Sequence, residues 1–136
     1  MRPSLEALVG ECARYRLTVV EAYLPGTLRG LYVPAEGRIY LRAGMPGWAA
    51  VPTLMHELYH VERGDAGHQG RGVEARIDRQ VACRLLDVGR YAAAEAVAGP
   101  AVGALAAELE VPTWVVVAYQ DALRRAGRRE RDAPGA

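Results

Sequence analysis

Residues 54–60 are Leu-Met-His-Glu-Leu-Tyr-His, and this stretch is the strongest indication of the fold in the chain. On a helix, His56 and His60 lie about 40° apart around the axis, so both imidazoles can reach one metal ion. Glu57, beside the first histidine, would then act as general base toward a water at that metal. The pattern predicts a metal-binding helix that carries a catalytic carboxylate.

The helical wheel of this stretch separates an apolar stripe from the two histidines. The stripe consists of Val51, Leu54, Met55, Leu58 and Val61. His56 and His60 project from nearly the opposite side of the helix. This arrangement leaves an ordinary alternative open, a pair of solvent-facing histidines that need no partner.

A second helical segment, predicted over residues 73–86, weakens that alternative. Its apolar face is formed by Val73, Ile77, Val81, Ala82 and Leu85. Glu74 and Asp78 fall inside this face, where two carboxylates at i and i+4 repel each other and are costly to bury without cations. A metal bound by Glu74, with Asp78 accepting a hydrogen bond from a ligand histidine, removes both costs. The alternative, acidic residues that suit the dipole of a first turn, explains Glu74 better than Asp78.

The order of these residues resembles the ImmA/IrrE family of metallopeptidases. In that family a His-Glu-x-x-His helix is followed by Glu-x-x-Ala-Asp/Asn, an aromatic-Ala pair and a Leu-Leu end. The corresponding stretches here are His56-Glu57-Leu58-Tyr59-His60, Glu74-Ala75-Arg76-Ile77-Asp78, Val81-Ala82 and Leu85-Leu86. The resemblance covers about residues 17–90, and a weaker similarity extends over about residues 104–123. Ile77 replaces the usual Ala and Gln80 stands where an aromatic is common, and these departures concern packing more than chemistry.

The resemblance implies a zinc-dependent endopeptidase. His56, His60 and Glu74 would hold Zn²⁺ and leave one position open, Glu57 would be the general base, and Asp78 would orient a histidine. The implied protein substrate is a DNA-binding repressor of the helix-turn-helix class, often encoded beside the enzyme. The presence of Glu57 favours catalysis over the main alternative, a non-catalytic, zinc-stabilised anti-repressor that works by binding. A third reading is a DNA-binding regulator that uses residues 104–126.

The residue that stabilises the oxyanion stays open at this stage. His68 is the first candidate, although it lies in a glycine-rich link over residues 63–72, where an ordinary loop histidine is the plainer interpretation. Tyr91 and Tyr40 follow it in order of preference.

Composition limits the binding partners and the cellular compartment that we expect for this protein. The net charge of +1 argues against a dedicated polyanion binder, so we expect no direct contact with nucleic acid. The chain has no apolar run of about 18 residues and no secretory leader, which predicts no membrane association. Cys12 and Cys83 read as reduced thiols, and we therefore expect a cytoplasmic protein.

The predicted fold is α+β: a small, three-stranded antiparallel sheet packed on the metal helix and the second ligand helix, with C-terminal helices closing the core. The predicted strands are 17–23, 28–33 and 38–42, and the further helices are 4–15, 91–98, 102–109 and 113–126. The metal helix is expected to start near Ala49, with Pro52 tolerable only in its first turn. Residues 1–126 form one domain in this prediction, and residues 127–136 form a basic, disordered tail.

The strand over residues 38–42 leads directly into the metal helix, so it is expected to be the sheet edge beside the zinc. Its outward side chains Arg38, Tyr40 and Arg42 would discourage pairing with other copies of the chain. We therefore expect substrate to lie antiparallel to this strand.

Overall fold

The computed structural model describes residues 2–134, which form six α-helices and one three-stranded sheet. The helices are Leu5–Arg14 (α1), Gly47–Arg63 (α2), Arg71–Leu85 (α3), Val88–Ala98 (α4), Val102–Leu109 (α5) and Thr113–Asp132 (α6). The strands are Thr18–Ala22 (β1), Gly30–Val33 (β2) and Arg38–Arg42 (β3). The predicted α+β class is confirmed.

The described chain forms two compact units, residues 2–77 and residues 78–134, with the boundary inside α3. The predicted domain of residues 1–126 therefore spans the first unit and most of the second. Helix α6 continues to Asp132, so residues 127–132, which the sequence analysis places in a basic tail, are helical.

The sheet has the order β1-β3-β2, and it is mixed rather than antiparallel. β3 pairs antiparallel with β2 but parallel with β1. Residues 23–29 carry the chain past the end of β3 to the far edge, and β2 then returns through a short turn to β3 in the middle. Arg42 stabilises this crossing, because its Nε donates to Leu28 O and its Nη2 to Gly26 O, each at 2.7 Å.

The central position of β3 in the sheet decides whether substrate can pair with this strand. Both sides of Arg38–Arg42 are occupied by neighbouring strands, so no guest strand can pair with it. The prediction that substrate lies along this strand is therefore wrong. The sheet edges are β1 and β2 instead.

Helix α2 packs against α1 and against β2 and β3 and forms the centre of the first unit. The fully buried side chains of this core include Leu8, Ile39, Leu54 and Met55. Ser4 caps α1 as predicted, since its Oγ accepts a hydrogen bond from Ala7 N at 3.0 Å. The inner face of the sheet thus fixes the position of the metal helix.

Pro52 lies in the second turn of α2, not in the first turn as predicted, because the helix already begins at Gly47. Proline has no N–H, so the bond that residue 52 would make to the carbonyl of Trp48 is missing. The loss falls close to the helix start, where Trp48 is 48% exposed.

In the second unit, α5 packs against both α4 and α6. Val115, Val116, Ala118 and Tyr119 of α6 are buried, as the apolar start of this helix suggests. Among the described residues, none of the helices taken singly has the length and hydrophobicity needed to cross a membrane. Only α4 and α5 combined meet that criterion, and they are bent by 117°.

Candidate metal centre

Three polar side chains of α2 that the sequence predicts to be functional are buried. His56, Glu57 and His60 are 6%, 3% and 1% exposed, so both sides of this helix are covered. The alternative of a solvent-facing histidine pair is therefore wrong. Buried polar side chains need partners, and the identity of these partners defines the site.

Both histidines point at Glu74, near the start of α3. His56 Nε2 lies 2.9 Å from Glu74 Oε1, and His60 Nε2 lies 3.1 Å from Oε1 and 3.0 Å from Oε2. One donor atom from each residue falls within 4.8 Å of the other two. His56, His60 and Glu74 could therefore hold a metal ion.

The second nitrogen of His60 has a partner that the sequence analysis missed. His60 Nδ1 lies 2.8 Å from Asp65 Oδ2, and Arg63 Nε donates to the same oxygen at 2.8 Å. The hydrogen bond with His60 is the main cause that lowers the pKa of Asp65, against burial and with help from Arg63. Asp65 thus holds the ring of His60 from the side opposite Glu74.

A turn at the end of α2 brings Asp65 to this position. Gly64 ends the helix in the left-handed conformation, with φ of 76°, and Asp65 N donates to His60 O at 3.0 Å. This is a Schellman-type helix end, which folds the chain back beside its last turn. The dipeptide Gly64-Asp65, four residues after the second histidine of the motif, is the signal that could have identified Asp65.

The chemistry of His60 indicates whether a metal fits. A neutral imidazole has one N–H and one lone pair, yet both nitrogens of His60 face carboxylates. If Nδ1 donates to Asp65, the lone pair of Nε2 is directed at Glu74 and is repelled by it. A cation between Nε2 and Glu74 converts this repulsion into coordination, and a doubly protonated ring is the other arrangement that satisfies both carboxylates. The donor set fits a metal ion.

The backbone of the loop between α2 and α3 also positions Glu74. Gln69 N donates to Glu74 Oε2 at 2.8 Å. Burial raises the pKa of Glu74, but the N–H of Gln69 and the close rings of His56 and His60 outweigh this effect and lower the pKa to about 2. Glu74 is therefore an ionised carboxylate across the physiological range, which is the form that binds a metal.

Glu57 lies beside this cluster in a dry environment. Burial raises the pKa of its carboxyl group above the ordinary value, against the lowering effect of the nearby histidines, and the charge of Glu74 adds to the rise. A carboxylate whose pKa is moved toward neutrality can both take up and release a proton. This property suits the predicted general base.

Of the three candidate oxyanion donors, the structure places His68 beside the cluster. Its Nδ1 lies 3.3 Å from Glu74 Oε1, and its ring centroid is 6.1 Å from that of His60. The hydroxyl of Tyr40 donates to Glu36, and the hydroxyl of Tyr91 accepts a hydrogen bond from Gln120 in the second unit. The catalytic role of His68 stays a prediction.

The role of Asp78 also stays a prediction. It follows Glu74 by four residues on α3, in the position from which the sequence analysis expects it to orient a histidine. Zinc affinity of Asp78→Ala, measured by competition with a chelating dye, tests this role.

Replacing Asp65 with alanine is expected to weaken zinc binding by roughly 10–100-fold, because carboxylates that orient ligand histidines contribute about that much. Asp65→Asn should lose less, since an amide oxygen can still accept from His60 Nδ1. Competition with a chelating dye measures the affinities. Glu62→Ala, which removes an exposed acid of α2 three residues before Asp65, is the matched control. Equal affinities for Asp65→Ala and wild type would show that Asp65 does not support the ligand.

Comparison with known proteins identifies no relative: no family model, no curated protein and no solved structure matches the chain.

Proposed function

We propose that this protein is a zinc-dependent endopeptidase. The observation that carries the proposal is the convergence of His56, His60 and Glu74, with donor atoms within 4.8 Å of one another, beside the buried Glu57. Two imidazoles and one carboxylate form the ligand set of several catalytic zinc sites, in which a fourth position stays open. When bound, zinc supplies Lewis-acid polarisation of water and of a substrate carbonyl.

The surrounding residues hold the ligands in one arrangement. Asp65 accepts from Nδ1 of His60 and so leaves Nε2 as the coordinating nitrogen. The N–H of Gln69 holds one oxygen of Glu74. Ligands fixed in this way need little reorganisation during the reaction.

Glu57 moves the proton in this proposal. Its carboxylate accepts a proton from the attacking water and delivers it to the nitrogen of the leaving amine as the peptide bond breaks. Burial favours the protonated intermediate form of Glu57, because it raises the pKa of this group. His68, at the edge of the cluster, is the group we assign to donate a hydrogen bond to the developing oxyanion.

We propose a helix-turn-helix repressor as the substrate, on the strength of the ImmA/IrrE resemblance alone. A cheap observation supports or weakens this part of the proposal: whether the neighbouring reading frame encodes such a repressor. The peptidase chemistry does not depend on the answer.

The experiment is hydrolysis of a proteome-derived peptide library, read by mass spectrometry. We expect the zinc-loaded protein to generate new peptide ends, 1,10-phenanthroline to abolish them, and stoichiometric zinc to restore them. Cleavage that persists in the chelator contradicts the proposal. A zinc-loaded protein that cleaves neither the library nor a neighbouring repressor also contradicts it, and the non-catalytic anti-repressor then becomes the better account.

A further inference from the structure

Gly30, the first residue of β2, lies against the catalytic helix. It is buried, and a Cβ added there would lie 2.8 Å from Thr53 Cγ2, 3.3 Å from Glu57 Cγ and 3.3 Å from Tyr40 O. Contacts of a real Cβ below 3.0 Å are essentially never seen. The backbone of β2 therefore approaches α2 so closely that only glycine fits.

Space, not backbone conformation, is the reason for this glycine. Gly30 is not among the glycines with positive φ, so another residue could adopt its dihedral angles. Glycine in a strand is otherwise unfavourable and often marks a close approach of two backbones or of a backbone and a ligand. The close approach at Gly30 is to the stems of Thr53 and Glu57, one turn apart on α2.

Thr53 cannot turn its methyl group away without a cost. Its Oγ1 donates to Ala49 O at 2.9 Å, and this bond fixes the rotamer that directs Cγ2 at Gly30. The residue is 3% exposed, so no solvent-filled space is available beside it. A side chain at position 30 would therefore displace β2, the hydroxyl bond of Thr53 or the stem of Glu57.

We propose that Gly30 is a positioning residue for Glu57. Its missing side chain lets β2 close over the aliphatic stem of Glu57, and this contact sets where the carboxylate lies. Glutamate has several rotatable bonds, so a buried stem removes conformations that would carry the carboxylate away from the reacting water. The inference rests on the proposed function, because Glu57 is the general base only in a peptidase.

The test is Gly30→Ala, assayed on the best-cleaved peptide of the library. We expect kcat to fall about 10–100-fold, as a misplaced catalytic group implies, while KM and zinc content stay unchanged. Gly30→Ala/Thr53→Ser should regain most of the lost kcat, because serine removes the methyl at 2.8 Å and keeps the hydroxyl bond to Ala49. Gly10→Ala on α1, where an added Cβ meets nothing within 4 Å, is the matched control.

In the peptide assay, any of three results would overturn the inference: wild-type kcat in zinc-loaded Gly30→Ala, loss of zinc together with kcat, or a double variant as slow as the single one. If Gly30→Ala does not fold, kcat of the folded variant Gly30→Ala/Thr53→Ser is compared directly with that of the wild type. Thermal unfolding separates this inference from the proposed function, since it needs no activity. A melting temperature lowered by Gly30→Ala and restored by Thr53→Ser supports the contact even if no peptide is cleaved, and equal lowering in both variants contradicts it.

Discussion

Glu57→Gln is expected to leave zinc bound and to reduce peptide hydrolysis by about 100-fold or more. Glutamine keeps the size and polarity of the side chain, so the buried space beside the cluster stays filled. It cannot accept the proton of the attacking water, and the whole contribution of the general base is lost. The measurement is kcat and KM on one library peptide, together with zinc content. Because Glu57 acts in the transition state, kcat should fall while KM changes little.

Glu62→Gln is the control for this change, since Glu62 lies on the same helix and is exposed. It should keep wild-type kcat. Hydrolysis by Glu57→Gln at the wild-type rate, with zinc still bound, would remove Glu57 from the mechanism. Loss of zinc in this variant would instead show that Glu57 supports the ligands.

His60→Ala should remove the metal, abolish hydrolysis and lower the melting temperature. His60 is 1% exposed and contacts Glu74 on one side and Asp65 on the other, so its loss separates α2 from the loop and from the start of α3. A bound ion also stabilises the folded chain by mass action, by about 2.7 kcal/mol when free metal is 100 times its dissociation constant. His56→Ala and Glu74→Ala should behave in the same way.

A chelator distinguishes loss of metal from loss of the side chain. The melting temperature of the wild type should fall in EDTA, whereas that of His60→Ala should not change. His68→Ala is the matched control for zinc content, because His68 lies outside the group of three converging ligands. Full zinc occupancy in His60→Ala would contradict the ligand set, and an EDTA-insensitive wild type would show that the metal does not tie these elements together.

The helical part of the site was predictable because the spacing of residues along a helix determines which side of it each side chain faces. The i, i+4 separation of His56 and His60 places both rings on one side, whatever the rest of the chain does. Glu74 was predictable because a carboxylate inside an apolar helical face needs a partner. The structure brings these three residues together.

Asp65 was not predicted because its role depends on a turn. A glycine-rich link suggests a flexible connection, but Gly64 forms a defined helix end that returns Asp65 to His60. The same loop supplies the N–H of Gln69 to Glu74 through a backbone atom, and a sequence motif does not report which backbone atoms are used.

The strand order was not predictable for a different reason. Alternation of buried and exposed residues in Arg38–Arg42 is the same for a central strand and for an edge strand, because it reports the two faces of the sheet. Which strands lie at the edges depends on the path of residues 23–29. Arg42 stabilises that path by donating hydrogen bonds to the carbonyl oxygens of Gly26 and Leu28. The end of α6 was predictable in part, since the arginine and glutamate residues after Gly127 are good helix formers despite their charge.

The central claim is that His56, His60 and Glu74 hold zinc in an open catalytic site. Anomalous diffraction at the zinc absorption edge tests it most directly, with crystals of protein purified without added metal. The account predicts one anomalous peak about 2.0–2.2 Å from Nε2 of His56, Nε2 of His60 and a carboxylate oxygen of Glu74, with no fourth protein ligand. The absence of an anomalous peak at this position would contradict it. A zinc ion with His68 as a fourth protein ligand would also contradict it.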